Sequence, residues 1–256
     1  MLLFRKLFKI CAAFVFLPAA LLLSLYSLEQ QGFFSIESID IKVQAKASQK
    51  NYISPRIARL QKKLEVYKGI SLWKAPLSQI SKNLRQESWI KNFQLSRSWP
   101  SGLELVVIPD EVAFLVLAEG AQSMKSAAAL YPVTMSGKVL EKIPFQEAPN
   151  SIVSHNTSIL KNNEVREGAV QLVKALPAAG LVSSAQIAEL GYDSKEGYWL
   201  KLLQSETKVN LGEEQFEIKS ARVSQVMEYL DSRNLKARVI DANLSKKVLV
   251  RLQQSP

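Results

Sequence analysis

Cysteine and histidine each occur once in 256 residues, as Cys11 and His155. A single thiol excludes a disulfide framework and any cysteine-built zinc site. A single imidazole leaves histidine metal centres and His-dependent triads without their parts. His155 stands in a Ser/Asn/Thr-rich stretch and reads as a solvated loop residue. None of the ten glycines falls in the G-x-G-x-x-G or G-x-x-x-x-G-K-[ST] spacing that cradles phosphates. Acidic residues are scattered, and Glu213-Glu214 is explained by the start of a helix, where carboxylates favour the positive end of the dipole. No catalytic, cofactor-binding or metal-ligating residue is assigned. The expectation is a protein that is not an enzyme and takes no cofactor.

Charge is missing over one long stretch, the 19 residues Ile10–Leu28. As a helix rising 1.5 Å per residue this is roughly 28 Å, close to the hydrocarbon thickness of a bilayer. Pro18 lies mid-stretch, where a membrane helix tolerates it better than a soluble one. A cleaved signal peptide needs a shorter apolar core, about 7–15 residues, and a small-x-small cleavage site. Here Ala19-Ala20 is followed by more leucines, which favours an uncleaved anchor. Arg5, Lys6 and Lys9 precede the span, while Glu29, Glu37 and Asp40 follow it. The positive-inside bias puts a cytoplasmic tail at 1–9 and everything after about residue 30 across the membrane. Cys11 falls within the span as a small buried hydrophobe, so the outer part has no thiol, which suits an oxidising compartment.

The remaining charge is uneven. Residues 33–110 carry 13 Lys+Arg against 6 Asp+Glu, while residues 111–256 carry 17 against 16. The basic segment suits solvation or attraction to an anionic lipid surface within about a Debye length. Nucleic acid is not expected in the outer compartment, and no nucleic-acid partner is assigned.

The first outer segment, 33–110, begins with a strand at 36–43, where Ile39, Ile41 and Val43 alternate with Asp40 and Lys42. Ser54-Pro55 supplies an N-cap and first-turn proline, Ile57, Leu60 and Leu64 follow at helical spacing, and Gly69 ends the helix. A second helix starts at Pro76, with Leu77, Ile80 and Leu84 on one face. The period then changes to two: Phe93, Leu95 and Arg97 form a strand, Trp99-Pro100-Ser101-Gly102 a turn, and Leu103, Leu105 and Val107 the return strand. The order is β-α-α-β-β.

A β-α-α-β-β module after one N-terminal span resembles a POTRA domain. The run Ser88-Trp89-Ile90, then Arg97-Ser98-Trp99-Pro100, then Leu103 and Leu105 is similar to the P-W-V, R-x-W-P, L-x-I-x-V pattern of the FtsQ/DivIB cell-division family. Ser88 departs from the proline of that pattern, and Pro109-Asp110-Glu111-Val112-Ala113 keeps only part of its E-x-x-P-x-A. Trp89, Arg97 and Trp99 themselves read as packing within sheet and hairpin.

The second outer segment, 111–256, reads as a mixed β-sheet domain with two flanking helices. Strands are expected at Val112–Leu117, Leu130–Met135 and Lys138–Leu140 (a hairpin through Ser136-Gly137), Ile187–Tyr192, Trp199–Leu203, Lys208–Leu211, Val239–Asp241 and Val248–Leu252. Ala121–Ala129 reads as an exposed loop and Pro144–Asn163 as a connector. Helices are expected over 164–176 and 214–232, the second with Phe216, Ile218, Val223, Val226, Met227 and Leu230 inward. Tyr198-Trp199-Leu200 through Val209-Asn210-Leu211-Gly212 is similar to the family's W-x-L-x-L and v-x-L-G strands. Ile240-Asp241 with Val248–Leu252 resembles its closing v-D-L-R and v-x-v pattern.

The fold class is thus α+β: a transmembrane helix at 10–28, a POTRA-like domain at 33–110, and a β domain at 111–256. The resemblance implies a bitopic scaffold of the division machinery in the cell inner membrane, enriched at the septum. Its β domain would bind the FtsB–FtsL pair in support of septal peptidoglycan synthesis, and its POTRA face would serve further membrane partners. Carried onto this sequence, the partner strand would add along Asn243, Leu244, Lys246, Lys247, Val248, Leu249, Val250, Arg251 and Leu252. There Asn243 takes the place of the family's Arg, Leu244 that of an aromatic, and Lys246-Lys247 forms a turn. An envelope transport or assembly factor handling unfolded chains is the alternative; single module, anchor and lack of a barrel-length tail count against it. A wall-acting anchored enzyme would need an acid/base constellation that the sequence does not display.

Overall fold

A computed structural model describes residues 2–117, 129–244 and 247–253, with side chains of the first helix from Phe16 onward. The chain divides into two compact units, Met1–Gln44 with Arg56–Ile108 and Ala45–Pro55 with Pro109–Pro256.

Helix α1 (Leu2–Gln30) contains Pro18. Phe16, Leu17, Leu21, Leu22, Leu23 and Tyr26 are all exposed on it. Among the described residues no helix is long and apolar enough to cross a membrane. The expected span begins at Ile10, ahead of Phe16, where side-chain description starts. The helix stops at a device the sequence reading did not use. Gly32 takes φ +77°, its N–H donates to Glu29 O at 3.0 Å, and the Phe33 N–H reaches back to Leu28 O at 3.0 Å. That pair of bonds is a Schellman stop, and the left-handed backbone it requires favours glycine.

The rest of the first unit is a small α+β module. Strand β1 (Ser38–Val43) leads to α2 (Lys50–Leu64), α3 (Leu77–Gln86), β2 (Ile90–Ser98) and β3 (Gly102–Pro109). The last strand takes the middle of the sheet, in the order β1-β3-β2. It pairs parallel with β1, placing Ile39, Ile41 and Val43 beside Leu103, Leu105 and Val107. Those three β3 side chains are buried with Leu60 and Leu64 of α2 and Ile80 and Leu84 of α3. The helical i, i+4 pairs and the period-two strand thus deliver one core.

Helix α2 starts at Lys50, not at Ser54, and carries Pro55 inside it. Tyr52 and Ile53 are only 1% and 3% exposed, so burial extends the helix upstream at the cost of the one hydrogen bond Pro55 cannot donate. Ser54 is therefore not the cap.

In the second unit, strand β4 (Val112–Leu117) is followed by β5 (Ala129–Thr134), β6 (Ile143–Pro144) and β7 (Ile152–Ser154). Helices α4 (Ser158–Lys161) and α5 (Asn163–Ala175) come next, then β8 (Ile187–Asp193), β9 (Gly197–Leu202) and β10 (Lys208–Gly212). Helix α6 (Phe216–Ser232), β11 (Ala237–Asp241) and β12 (Leu249–Leu252) complete it. Nine strands form one open sheet, β12-β11-β10-β9-β8-β7-β4-β5-β6. The expected hairpin exists, but its return at Lys138–Leu140 is a single bridge, Val133 to Val139, and not a strand. The expected connector hides β7, which runs parallel to both β4 and β8 with Ile152 and Ser154 buried. The loop expected at Ala121–Ala129 lies outside the described residues except for Ala129, which opens β5. Two long helices, α5 and α6, supply the main helical burial: Val165, Ala169, Leu172 and Val173 from one, Phe216, Val223 and Leu230 from the other. The Ser220 hydroxyl of α6 donates to Ala175 O of α5 at 3.0 Å.

One buried phenol ties strand to helix. Tyr198 of β9 is 4% exposed and donates to Val165 O at 2.8 Å. Gly168 permits this approach, since a Cβ there would lie 2.2 Å from the phenol oxygen. Burial pushes the Tyr198 pKa well above its ordinary value of 10.0. The unfolded chain releases that proton first, so stability is full below pH 10 and falls as pH climbs beyond it. Tyr198→Phe is expected to cost about 1 kcal/mol at neutral pH by removing the hydrogen bond. In urea titrations across neutral and alkaline pH, the variant should lose less stability above pH 10 than the parent.

Candidate functional site

An open sheet exposes the outer side of its two terminal strands. At one end lies β12, paired antiparallel with β11 so that Leu249, Val250, Arg251 and Leu252 face Asp241, Ile240, Val239 and Ala237. The ladder runs one residue further, the Gln253 N–H donating to Lys236 O at 2.8 Å. Val248 and Val250 pack against the core, while Leu249 and Leu252 are 53% and 48% exposed. The strand therefore presents a backbone row that no other described strand pairs, together with apolar side chains. That combination suits an added strand, because main-chain bonds supply affinity and alternate side chains supply selectivity.

Upstream of β12 the chain turns tightly. The Asn243 N–H donates to Asp241 Oδ1 at 2.9 Å, and the Ala242 N–H to Asn210 O at 2.9 Å. Asn243 lies over Gly212 of β10: a Cβ on Gly212, whose φ is +72°, would meet Asn243 Oδ1 at 2.0 Å. Leu244 is 47% exposed and Lys247 is exposed; Lys246 lies outside the described residues. Of the nine residues expected to form the site, the structure brings Leu249–Leu252 into the edge strand, with Val248 just ahead of it. Asn243 is part of the turn behind it.

Beside that turn is a cavity of about 370 Å³ lined by Gly197, Gly212, Glu213, Glu214, Lys219 and Asn243, among others. Sequence reading missed it, and it misassigned one face of α6. Ile218, expected inward, is 52% exposed, while Lys219 is 5% exposed. Ile218 stands two residues from Phe216, about 200° round a helix of 3.6 residues per turn, so both cannot face the core. Lys219 points inward because its ammonium donates to Leu211 O at 2.8 Å, and burial lowers its pKa. Nearby, Tyr192 donates to Glu213 Oε1 at 3.0 Å, a bond that raises the phenol's pKa. These are structural interactions. Among the described residues, no group of three or more His, Cys, Asp or Glu could hold a metal ion.

In the first unit the aromatic motif residues have packing roles. The Trp89 indole donates to Glu87 Oε2 at 3.1 Å, and Glu87 pairs with Lys63 at 2.6 Å. Arg97 Nε donates to Leu72 O at 2.8 Å. Trp99 stacks at a tilt on Trp73, ring centres 4.5 Å apart.

Two family models match this chain. One, described as POTRA domain, FtsQ-type, matches residues 34–108; the other, described as Cell division protein FtsQ/DivIB, C-terminal, matches residues 124–243. The chain belongs to the FtsQ/DivIB family. No curated protein matches it. FtsQ/DivIB proteins are cell-division scaffolds and not enzymes, and the β-α-α-β-β module is the POTRA domain of such a protein. The FtsQ/DivIB C-terminal match stops at Asn243, so the edge strand β12 lies beyond the matched residues.

The Gly212–Asn243 contact gives a test of how the edge is held. Gly212→Ala should lower stability by more than about 1 kcal/mol, through both its left-handed backbone and the clash with Asn243. Urea unfolding should show this loss, and hydrogen exchange should show faster opening of residues 241–252.

Proposed function

We propose that this FtsQ/DivIB protein is a non-enzymatic, single-span scaffold of the division machinery. Its anchor is Ile10–Leu28 in the cell inner membrane, with residues 1–9 cytoplasmic and the POTRA domain (33–110) and β domain (111–256) outside. The exposed apolar side chains from Phe16 to Tyr26 support this reading, because lipid removes them from water at no packing cost to the protein.

The observation that carries the docking role is the outer side of β12. A segment of an FtsB–FtsL-type pair extends the sheet there, resting on Leu249 and Leu252 and flanked by Leu244, Lys246 and Lys247. The POTRA domain receives further membrane partners, and the assembled complex supports septal peptidoglycan synthesis. Catalysis is left to those partners.

Deleting residues 244–256 is expected to abolish co-purification with the FtsB–FtsL pair while the POTRA domain keeps its folded circular dichroism and protease resistance. Undiminished co-purification would refute the edge as the docking site. A fluorescent fusion of the full chain should form a midcell band before constriction; uniform envelope labelling throughout the cycle would count against the septal role.

A further inference from the structure

Four aromatic rings gather where α1 hands over to the POTRA domain. Phe34 is buried at their base, 5.2 Å from Phe33, 6.0 Å from Trp73 and 6.1 Å from Trp99 between ring centres. The other three are left half open: Phe33 is 50%, Trp73 56% and Trp99 51% exposed. An exposed aromatic patch of this size in water is unfavourable unless something covers it.

Its position says what does. Phe33 is the residue after the Gly32 stop, and its own N–H caps the helix at Leu28 O. Glu29, in the last turn of α1, pairs with Lys74 at 3.3 Å and accepts from Ser71 Oγ at 3.2 Å. Trp73 lies between those two partners in sequence, and Arg97 grips Leu72 O beside it. The cluster is thus fastened to the end of the apolar helix by a helix cap, an ion pair and one side-chain hydrogen bond, while Arg97 holds the Trp73 segment to β2. A helix that leaves the hydrocarbon at about Leu28 carries these rings at the depth of the headgroups. Tryptophan is enriched at that depth because its ring is apolar and its N–H polar.

We infer that Phe33, Trp73 and Trp99 form a foot on the POTRA domain that sits in the lipid headgroup region of the outer leaflet and fixes how the domain stands on the membrane. This rests on the reading of Ile10–Leu28 as a span. The occupant is lipid, because the patch is continuous with a helix whose exposed side chains are themselves apolar.

The full chain is placed in vesicles of equimolar phosphatidylethanolamine and phosphatidylglycerol, carrying bromines either near the headgroup or near the chain end. The protein has four tryptophans. Trp89 is buried, and replacing Trp73 and Trp99 together separates their quenching from any at Trp199. Headgroup-proximal bromines should lower the emission of the parent protein, and the W73F/W99F variant should lose that component. Both residues are exposed, so the variant keeps the buried core. A Leu22→Trp reporter in the W73F/W99F background reports on the span and should be quenched most by bromines near the chain end. A quenched reporter beside an unquenched parent overturns the foot and leaves the anchor standing. Equal quenching of parent and W73F/W99F also overturns the foot. A reporter quenched by neither lipid overturns the span, and the foot with it.

Discussion

An open sheet cannot satisfy its own outermost backbone, and the second unit is organised around that constraint. Its nine strands have two ends, treated differently. One end is β6, two residues long with Pro144 as its second, so little backbone is offered there and one donor is missing. The other is β12, four residues without proline, carrying exposed leucines. Natural sheets blunt edges that are not meant to pair. The contrast between the two ends is the physical argument behind the docking surface proposed at β12.

The first unit solves a separate problem, that of joining a long helix with exposed apolar side chains to a folded α+β module. The last strand in sequence, β3, fills the middle of the three-stranded sheet, which secures the module's closing segment between β1 and β2. The Schellman stop at Gly32 and the Glu29 contacts then make the junction short and definite. Polar fastening and aromatic exposure occur within the same few residues.

Most elements were legible because their periods were clean. Ile39-Ile41-Val43 and Leu103-Leu105-Val107 are strands in sequence and in structure, and Val112–Leu117 is one by its short unbroken apolar run. Helices α3 and α5 were equally plain, the latter capped by Asn162, whose side chain accepts from the Glu164 N–H. Most of the failures depend on contacts outside the element concerned. Strand β7 is three residues long, too short to display a period, and exists because β4 and β8 enclose it. The early start of α2 is set by the burial of Tyr52 and Ile53. Lys219 is drawn inward by a carbonyl of β10, which overrides its polarity. For the candidate site, the edge strand was legible as a terminal period-two run, whereas its support by Asn243 over Gly212 was not, because that contact joins two separate turns.

The neighbours β8, β9, β10, β11 and β12 follow one another in both sequence and space. The strand offered to a partner is thus downstream of every other strand. Its place in the sheet is set through β11, which pairs parallel with β10 across the α6 connection. On the docking proposed above, a partner that adds to β12 reads more than four residues: it meets a platform whose register is set by β11 and, through it, by β10.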